Sequence, residues 1–370
     1  MNSSFQIGNI MGIPVRLHWT FLVVVLYVAW AFASVSQPIF GNPYGFGAVE
    51  PYSVRWAYSL IFAVLLFVCV ALHELGHSYI ARRSGIEIKS ITLYFFGGVA
   101  SMEEMPRNPS LELKMAFAGP AISGLVGIIC ILLAQSTAFL GRGHPLSVLL
   151  WTLGVMNLIL MIFNLLPAFP MDGGRVLRAW LATRMPYVTA TRRAAGIGKL
   201  FAIFLGVLGL FSFNFLLLFI AFFVYIGASE EEKATAIDIS LEGIRVRNIM
   251  SADVRTVSKD MTLRELVGLM FREKHRGYPV VENGELKGIV TLTDVQRVAD
   301  EGRDSTRVED VMARNIYVIA PEEEASVAMK MMNEKGIRRL PVMDGGRLAG
   351  IVSREDLVRA IELCSERSKR

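Results

Sequence analysis

The sequence predicts a multi-domain chain: a polytopic α-helical membrane body of about six spans with a short β segment, followed by a cytosolic α/β tail built from one repeated unit. Three observations predict it. Apolar runs lie near residues 17–36, 57–80, 112–138, 147–169 and 197–228, and a helix needs about 20 such residues to cross a bilayer. Charge is divided unequally: residues 1–230 carry 14 Lys/Arg and 8 Asp/Glu, whereas residues 231–370 carry 24 and 25. The tail also repeats itself at a constant offset of 62 residues. The chain averages, 53% hydrophobic, 19% charged and net charge +5, therefore describe neither part, but they exclude an ordinary soluble enzyme and a disordered chain.

In chain order, the first run follows Arg16 without a small-residue cleavage site and precedes a polytopic body, so it reads as a retained helix rather than a signal peptide. The last run is too long for one span and is interrupted by Ser212 and Asn214, which divides it into two helices. With a cytoplasmic N-terminus, the inside segments hold Arg16; Arg82, Arg83, Lys89 and Arg107; and Arg175, Arg178, Arg184, Arg192, Arg193 and Lys199. The outside segments hold Arg55 and Arg142, a bias of eleven to two in favour of this orientation. Six spans return the tail to the cytoplasm. The basic excess is then a topology signal of a multi-pass cell-membrane protein, and no nucleic-acid partner is expected. Trp19, Trp56, Trp151 and Trp180 fall near span ends, as interfacial aromatics do. Residues 86–102, β-branched and aromatic with Gly97-Gly98, read as one or two strands with a tight turn. Cys69 and Cys130 sit in apolar runs as inert thiols, and with Cys364 they make no disulfide framework. A prokaryotic plasma membrane suits that absence.

Residues 73–77 read HELGH within the second span. Positions i and i+4 share a helix face, so His73 and His77 can address one metal ion, with Glu74 beside them as a base that is not a ligand. Zinc in such a site is a Lewis acid that acidifies its water. Ionisable groups within a span cost about 2.5–3.5 kcal/mol each at its centre, so they usually mark a site. A catalytic zinc takes three protein ligands and keeps one position open. The other acids of the body are Glu50, Glu87, Glu103, Glu104, Glu112, Asp172 and Glu230. Of these, Asp172 stands out in NLLPAFPMDGGR (164–175), where Pro167 and Pro170 break the fourth span and Gly173-Gly174 permit a tight turn. The alternative is an Asp that merely ends a helix. Asn157 and Asn164 lie seven apart on one face. Asn157 suits helix–helix contact; Asn164 is better placed to hydrogen-bond a substrate carbonyl or oxyanion. His18 and His144 read as interfacial or loop residues.

HELGH together with N-x-x-P-x-x-P-x-D-G-G resembles the site-2 protease family of intramembrane zinc metalloproteases, as do GIPVRLHWT near the start and FGGVASM at 96–102. The resemblance covers roughly residues 10–228. It implies that His73, His77 and Asp172 bind one catalytic Zn2+, that Glu74 is the catalytic glutamate, and that Asn164 assists the transition state. It implies cleavage of the transmembrane segments of membrane-protein substrates near the cytoplasmic side of the bilayer. A helix hides its peptide bonds, so substrate must unwind, and strands at 86–102 could receive it by β-augmentation.

In the tail, VRNIM (246–250) matches VEDVM (308–312), YPVV (278–281) matches LPVM (340–343), and GIVTLTDVQR (288–297) matches GIVSREDLVR (350–359). Each copy reads strand, amphipathic helix, strand, Gly turn, strand, helix, with Leu266, Leu269, Met270, Met329 and Met332 as core stripes. The repeat resembles a tandem pair of CBS domains, with G-h-x-[TS]-x-x-D present as Gly288–Thr291–Asp294 and Gly350–Ser353–Asp356. The resemblance implies adenosine-nucleotide binding (ATP, ADP or AMP) and a homodimer. Asp294 and Asp356 would take ribose hydroxyls, and Thr291 and Ser353 phosphate. Arg339, with His275, Arg276 and Arg338 nearby, would supply charge. The alternative role for each Asp is to cap the following helix. The expected divisions are 1–228 for the metalloprotease domain, 229–243 for a linker whose Glu230–Glu232 run is a solvated face, 244–305 for the first CBS domain and 306–364 for the second. The functional alternatives are a CBS-gated transporter or channel, to which a His-Glu pair and a Pro-broken Asp-Gly-Gly partner contribute nothing, and a dead scaffold, which would not need all the ligands.

Overall fold

The computed structural model describes residues 4–10, 12–94, 97–102 and 107–367, and the chain divides into two units, Met1–Lys233 and Ala234–Arg370. Phe95, Phe96, Glu103 and Glu104 lie outside the described residues.

Helices occupy every apolar run of the first unit: α1 (Thr20–Ser34), α2 (Tyr52–Arg83), α3 (Pro109–Ser136), α4 (Pro145–Asn164), α6 (Tyr187–Phe211) and α7 (Phe215–Ser240), with the short amphipathic α5 (Asp172–Ala182) before α6. Among the described residues, α2, α3, α4 and α6 have the length and composition to cross a membrane, and α1 is a shorter apolar helix. Many large apolar side chains of this unit are exposed, and α6 buries small ones. α6 buries Ala190, Ala194, Ala195, Gly198 and Ala202 while Leu200, Phe204 and Phe211 are exposed. That inversion is what lipid as solvent selects, because small residues let helices approach while large apolar ones face the acyl chains.

α6 ends at Phe211, and the Asn214 side chain accepts from the Leu217 amide at 3.1 Å, opening α7 as a cap. α7 then continues without a break through 229–240, the first part of the expected linker. The Glu run there is not a solvated face: Glu231 pairs with Arg178 at 2.6 Å and Glu232 with Lys199 at 2.7 Å, and Glu230 alone pairs along its own helix, with Lys233. Trp151 departs from expectation too. It lies within α4, only 7% exposed, so it is core rather than an interfacial anchor, whereas Trp19 and Trp180 are more than half exposed.

The strands at 86–102 are a hairpin, β5 (Ile88–Tyr94) and β6 (Gly97–Met102). The sequence reading did not anticipate its partners: an N-terminal hairpin of β1 (Ser4–Ile10) and β2 (Ile13–His18), whose β2 runs parallel to β5. The sheet order is β1-β2-β5-β6, which leaves β6 on an edge. A small hairpin, β3 (Gln37–Ile39) and β4 (Asn42–Tyr44), follows α1.

In the second unit each repeat contains a helix and a hairpin: α8 (Leu263–Glu273) with β7 (Gly277–Glu282) and β8 (Glu285–Thr291), then α11 (Ala325–Lys335) with β9 (Arg339–Asp344) and β10 (Arg347–Ser353). The short α9 (Leu292–Gln296) and α10 (Val308–Val311) lie between them, and α12 (Arg354–Arg367) closes the chain. The strand expected at the start of each repeat is reduced to a single parallel bridge, Val257–Val280 and Ile319–Val342. Pairing between the repeats is reciprocal: Ser251–Ile351 answers Ala313–Ile289, and Arg245–Glu324 answers Arg307–Thr262, each displaced by the 62-residue offset. The expected stripes are core, with Leu266, Met270, Met329 and Met332 all buried.

Candidate metal centre

His73 and His77 lie one turn apart on α2 and present their Nε2 atoms to one point, 3.2 Å from each other and each 3.2 Å from Asp172 Oδ2. Tetrahedral zinc with bonds of about 2.0–2.1 Å sets its ligand atoms about 3.3 Å apart, so the spacing suits such an ion. The far sides of both rings are held by α3. The Met115 carbonyl accepts from His77 Nδ1 at 2.7 Å, and Ser123 Oγ lies 2.9 Å from His73 Nδ1. A carbonyl can only accept, so His77 Nδ1 carries a proton and Nε2 is the nitrogen that faces the cluster. In the neutral imidazole that nitrogen has a lone pair, and together with the Asp172 carboxylate it offers a shared cation two donor atoms. Gly119, midway between Met115 and Ser123, forms the floor: a Cβ there would lie 2.2 Å from His77 Nε2 and 2.8 Å from His73 Nε2.

Asp172 reaches the cluster because α4 stops at Asn164 and the chain folds sharply back. A Cβ on Gly173 would lie 2.2 Å from the Leu166 carbonyl oxygen, and one on Gly174 2.6 Å from the Phe169 nitrogen. Only glycine allows α5 to start so close against the preceding loop. Glu74, half-buried on α2, lies in the electrostatic field of His73, His77, Asp172 and Arg175. Asn164 ends α4 with its Nδ2 donating to the Leu160 carbonyl at 3.0 Å. Asn157, fully buried, donates to the Leu153 carbonyl at 2.8 Å. Among the described hydrogen bonds neither amide joins the three-residue cluster. Sequence reasoning missed Ser123, the Met115 carbonyl and Gly119; the available signal was Gly119-Pro120, a helix-breaking pair inside an apolar run.

In the second unit, Thr291, Asp294, Arg276, Arg338 and Arg339 line a cavity of about 560 Å³ together with Glu355. Burial holds the Arg339 guanidinium below the usual arginine range, and the charges of Arg276 and Arg338 add to this against Glu355. The aspartates do not N-cap the following helices; Asp294 is the third residue of a capping box whose N-cap is Thr291, its Oδ2 accepting from the Thr291 amide at 3.0 Å and hydroxyl at 2.6 Å, and Asp356 accepts in the same way from the Ser353 amide at 2.9 Å and hydroxyl at 2.6 Å. One difference between the repeats falls in the cleft. Arg339 occupies the place that Gly277 holds in the first copy, and its Nη1 donates to the Gly277 carbonyl at 3.1 Å. Ser353 and Asp356 do not line this cavity.

Residues 61–144 and 138–207 match the family model described as Peptidase family M50, and residues 246–301 and 308–363 match the CBS domain. The chain is 36% identical over 363 residues to zinc metalloprotease MJ0392 of Methanocaldococcus jannaschii, an alignment covering 98% of this chain and 97% of that protein. The tail is 38% identical over 114 residues to the CBS domain-containing protein YhcV of Bacillus subtilis, covering 30% of this chain and 81% of that one. Among solved structures, a site-2 protease from Methanocaldococcus jannaschii is similar at 41% identity and a TM-score of 0.43, over 62% of this chain and 95% of that one.

Proposed function

Since the chain belongs to the site-2 proteases of peptidase family M50 and ends in a tandem pair of CBS domains, it is a membrane-embedded zinc metalloprotease, and we propose that His73, His77 and Asp172 hold its zinc and that Glu74 is its general base. The observation that carries this reading is the convergence of two imidazole lone-pair positions and one carboxylate over Gly119. When bound, zinc supplies a Lewis acid that polarises the scissile carbonyl and acidifies water. Glu74 takes a proton from the attacking water and delivers it to the departing amide nitrogen. Asn164 gives up the Leu160 carbonyl and donates its Nδ2 to the developing oxyanion. The Met115 carbonyl and Ser123 keep both rings turned toward the cluster. Unwound substrate pairs with β6, whose place on the edge of the sheet among the described strands supports the β-augmentation reading of this segment. The substrates are transmembrane segments of other proteins, cut toward the cytoplasmic side, with the N-terminus and the CBS pair in the cytoplasm. In proteoliposomes carrying a single-span substrate, chelation is expected to stop cleavage and zinc to restore it. Cleavage that persists once metal analysis reads zero overturns the reading.

The CBS pair reads as the regulatory part, taking one adenosine nucleotide per chain in the cleft of Thr291, Asp294 and Arg339 and pairing with a second copy. Four arginines line this cleft, Arg276, Arg297, Arg338 and Arg339, and the charges of Arg276 and Arg338 act against that of Arg339, which favours a phosphate chain as counter-charge. The Gly277–Arg339 difference supports one occupied cleft rather than two. Calorimetric titration of the full chain with ATP, ADP and AMP is expected to show binding that Arg339→Ala weakens by about tenfold or more, the loss of one charge-assisted contact. No binding up to millimolar concentration overturns it.

A further inference from the structure

Arg178 entered the sequence reading only as a positive-inside charge. In the structure it is 5% exposed and makes ion pairs with two carboxylates. Its Nε donates to Glu112 Oε1 at 2.7 Å and its Nη1 to Glu231 Oε1 at 2.6 Å. The guanidinium also lies 5.0 Å from the Phe169 ring centroid and 5.1 Å from that of Tyr187. One side chain thus ties together α3, the loop before α5, α6 and α7.

Two of these attachments bear on the metal centre. Arg178 stands six residues after Asp172 on the same helix, a separation of about 9 Å along a rigid rod. Glu112 stands three residues before Met115, whose carbonyl holds His77. The ion cluster therefore fixes the helix carrying Asp172 against the helix that orients the histidines. Its third member has a different character. Glu112 is 1% exposed, but the Glu231 side chain is 32% exposed, and α7 continues beyond it to Ser240. Withdrawing Glu231 leaves a buried cation with one counter-charge in place of two, and buried cations left short of partners relocate or draw in water.

We propose that the Glu231–Arg178 pair positions Asp172, making α7 the handle through which the part of the chain that follows it acts on the metal centre. Arg178 is a positioning residue, and Glu231 acts through it. The inference rests on the three-ligand reading above. The test uses the full-length protein in micelles, with two readouts: the rate of zinc loss to a chelator, and the visible absorption bands of the cobalt-substituted form, which report ligand geometry rather than stability. Glu231→Gln is nearly isosteric and half-exposed, so it is expected to fold. Its zinc loss is expected to be about tenfold faster, as for other groups that orient metal ligands, with shifted cobalt bands. Arg178→Lys, which keeps the charge but loses the fork, should move both readouts in the same direction. Glu230→Gln on the same helix, which breaks only the Lys233 pair, should move neither. Wild-type rates and bands in Glu231→Gln, with zinc held normally by the parent, overturn this inference and leave the ligand reading standing. A parent protein that holds no zinc overturns both.

Discussion

Glu74→Gln is expected to abolish cleavage while leaving the metal in place. The substitution keeps the size of the side chain and removes its ability to take a proton, and general base catalysis contributes about 10²–10⁴ in rate. Because Glu74 is on α2 beside His73 but outside the converging set of His73, His77 and Asp172, zinc stoichiometry should not change. Single-turnover cleavage of a transmembrane substrate, with metal content measured on the same sample, checks both halves. Cleavage at the parent rate would remove Glu74 from the chemistry. Loss of zinc would show instead that Glu74 belongs to the ligand set.

The second large effect concerns the metal itself. Asp172→Ala removes the one carboxylate of the cluster and leaves two imidazoles, so zinc should be lost at concentrations where the parent retains it. The expected drop in affinity exceeds the 10–100-fold that follows from disturbing a group behind a ligand. Gly119→Ala should have the same outcome for a steric reason. Its methyl would stand 2.2 Å from His77 Nε2, and the obstructed atom is on a ring anchored by the Met115 carbonyl. Metal analysis after gel filtration in detergent measures both. Parent stoichiometry in Asp172→Ala would take that residue out of the ligand set.

Much of the architecture was legible because it is written in local periodicity. The apolar runs announced the helices, Ser212 and Asn214 marked the α6–α7 break, and a gapless 62-residue offset announced the repeat. HELGH was legible because i and i+4 on a helix fix a shared face without any tertiary knowledge. Asp172 was legible because acids are scarce in the body and this one sits in a Pro- and Gly-shaped turn. What was not legible depends on partners distant in the chain. The β2–β5 pairing joins Val15 to Ile91, and neither strand alone indicates its neighbour. The Met115 carbonyl is a backbone atom, so no side-chain identity signals its grip on His77. Arg178 looked like any other inside charge until Glu112 and Glu231 closed on it. The helical course of residues 229–240 was open to a closer reading, since Glu, Lys and Ala are strong helix formers. Trp151 was misjudged because a tryptophan near the end of an apolar run suits a membrane interface and a helix–helix core equally well.

We propose that the chain hydrolyses peptide bonds inside a membrane at the His73–His77–Asp172 centre. The most direct measurement is mass-spectrometric mapping of the product termini after zinc-dependent cleavage of a single-span substrate in proteoliposomes. New termini are expected within the apolar segment of the substrate, toward its cytoplasmic end, and none from Glu74→Gln. Termini confined to the water-exposed flanks, or the same termini from Glu74→Gln, would contradict it.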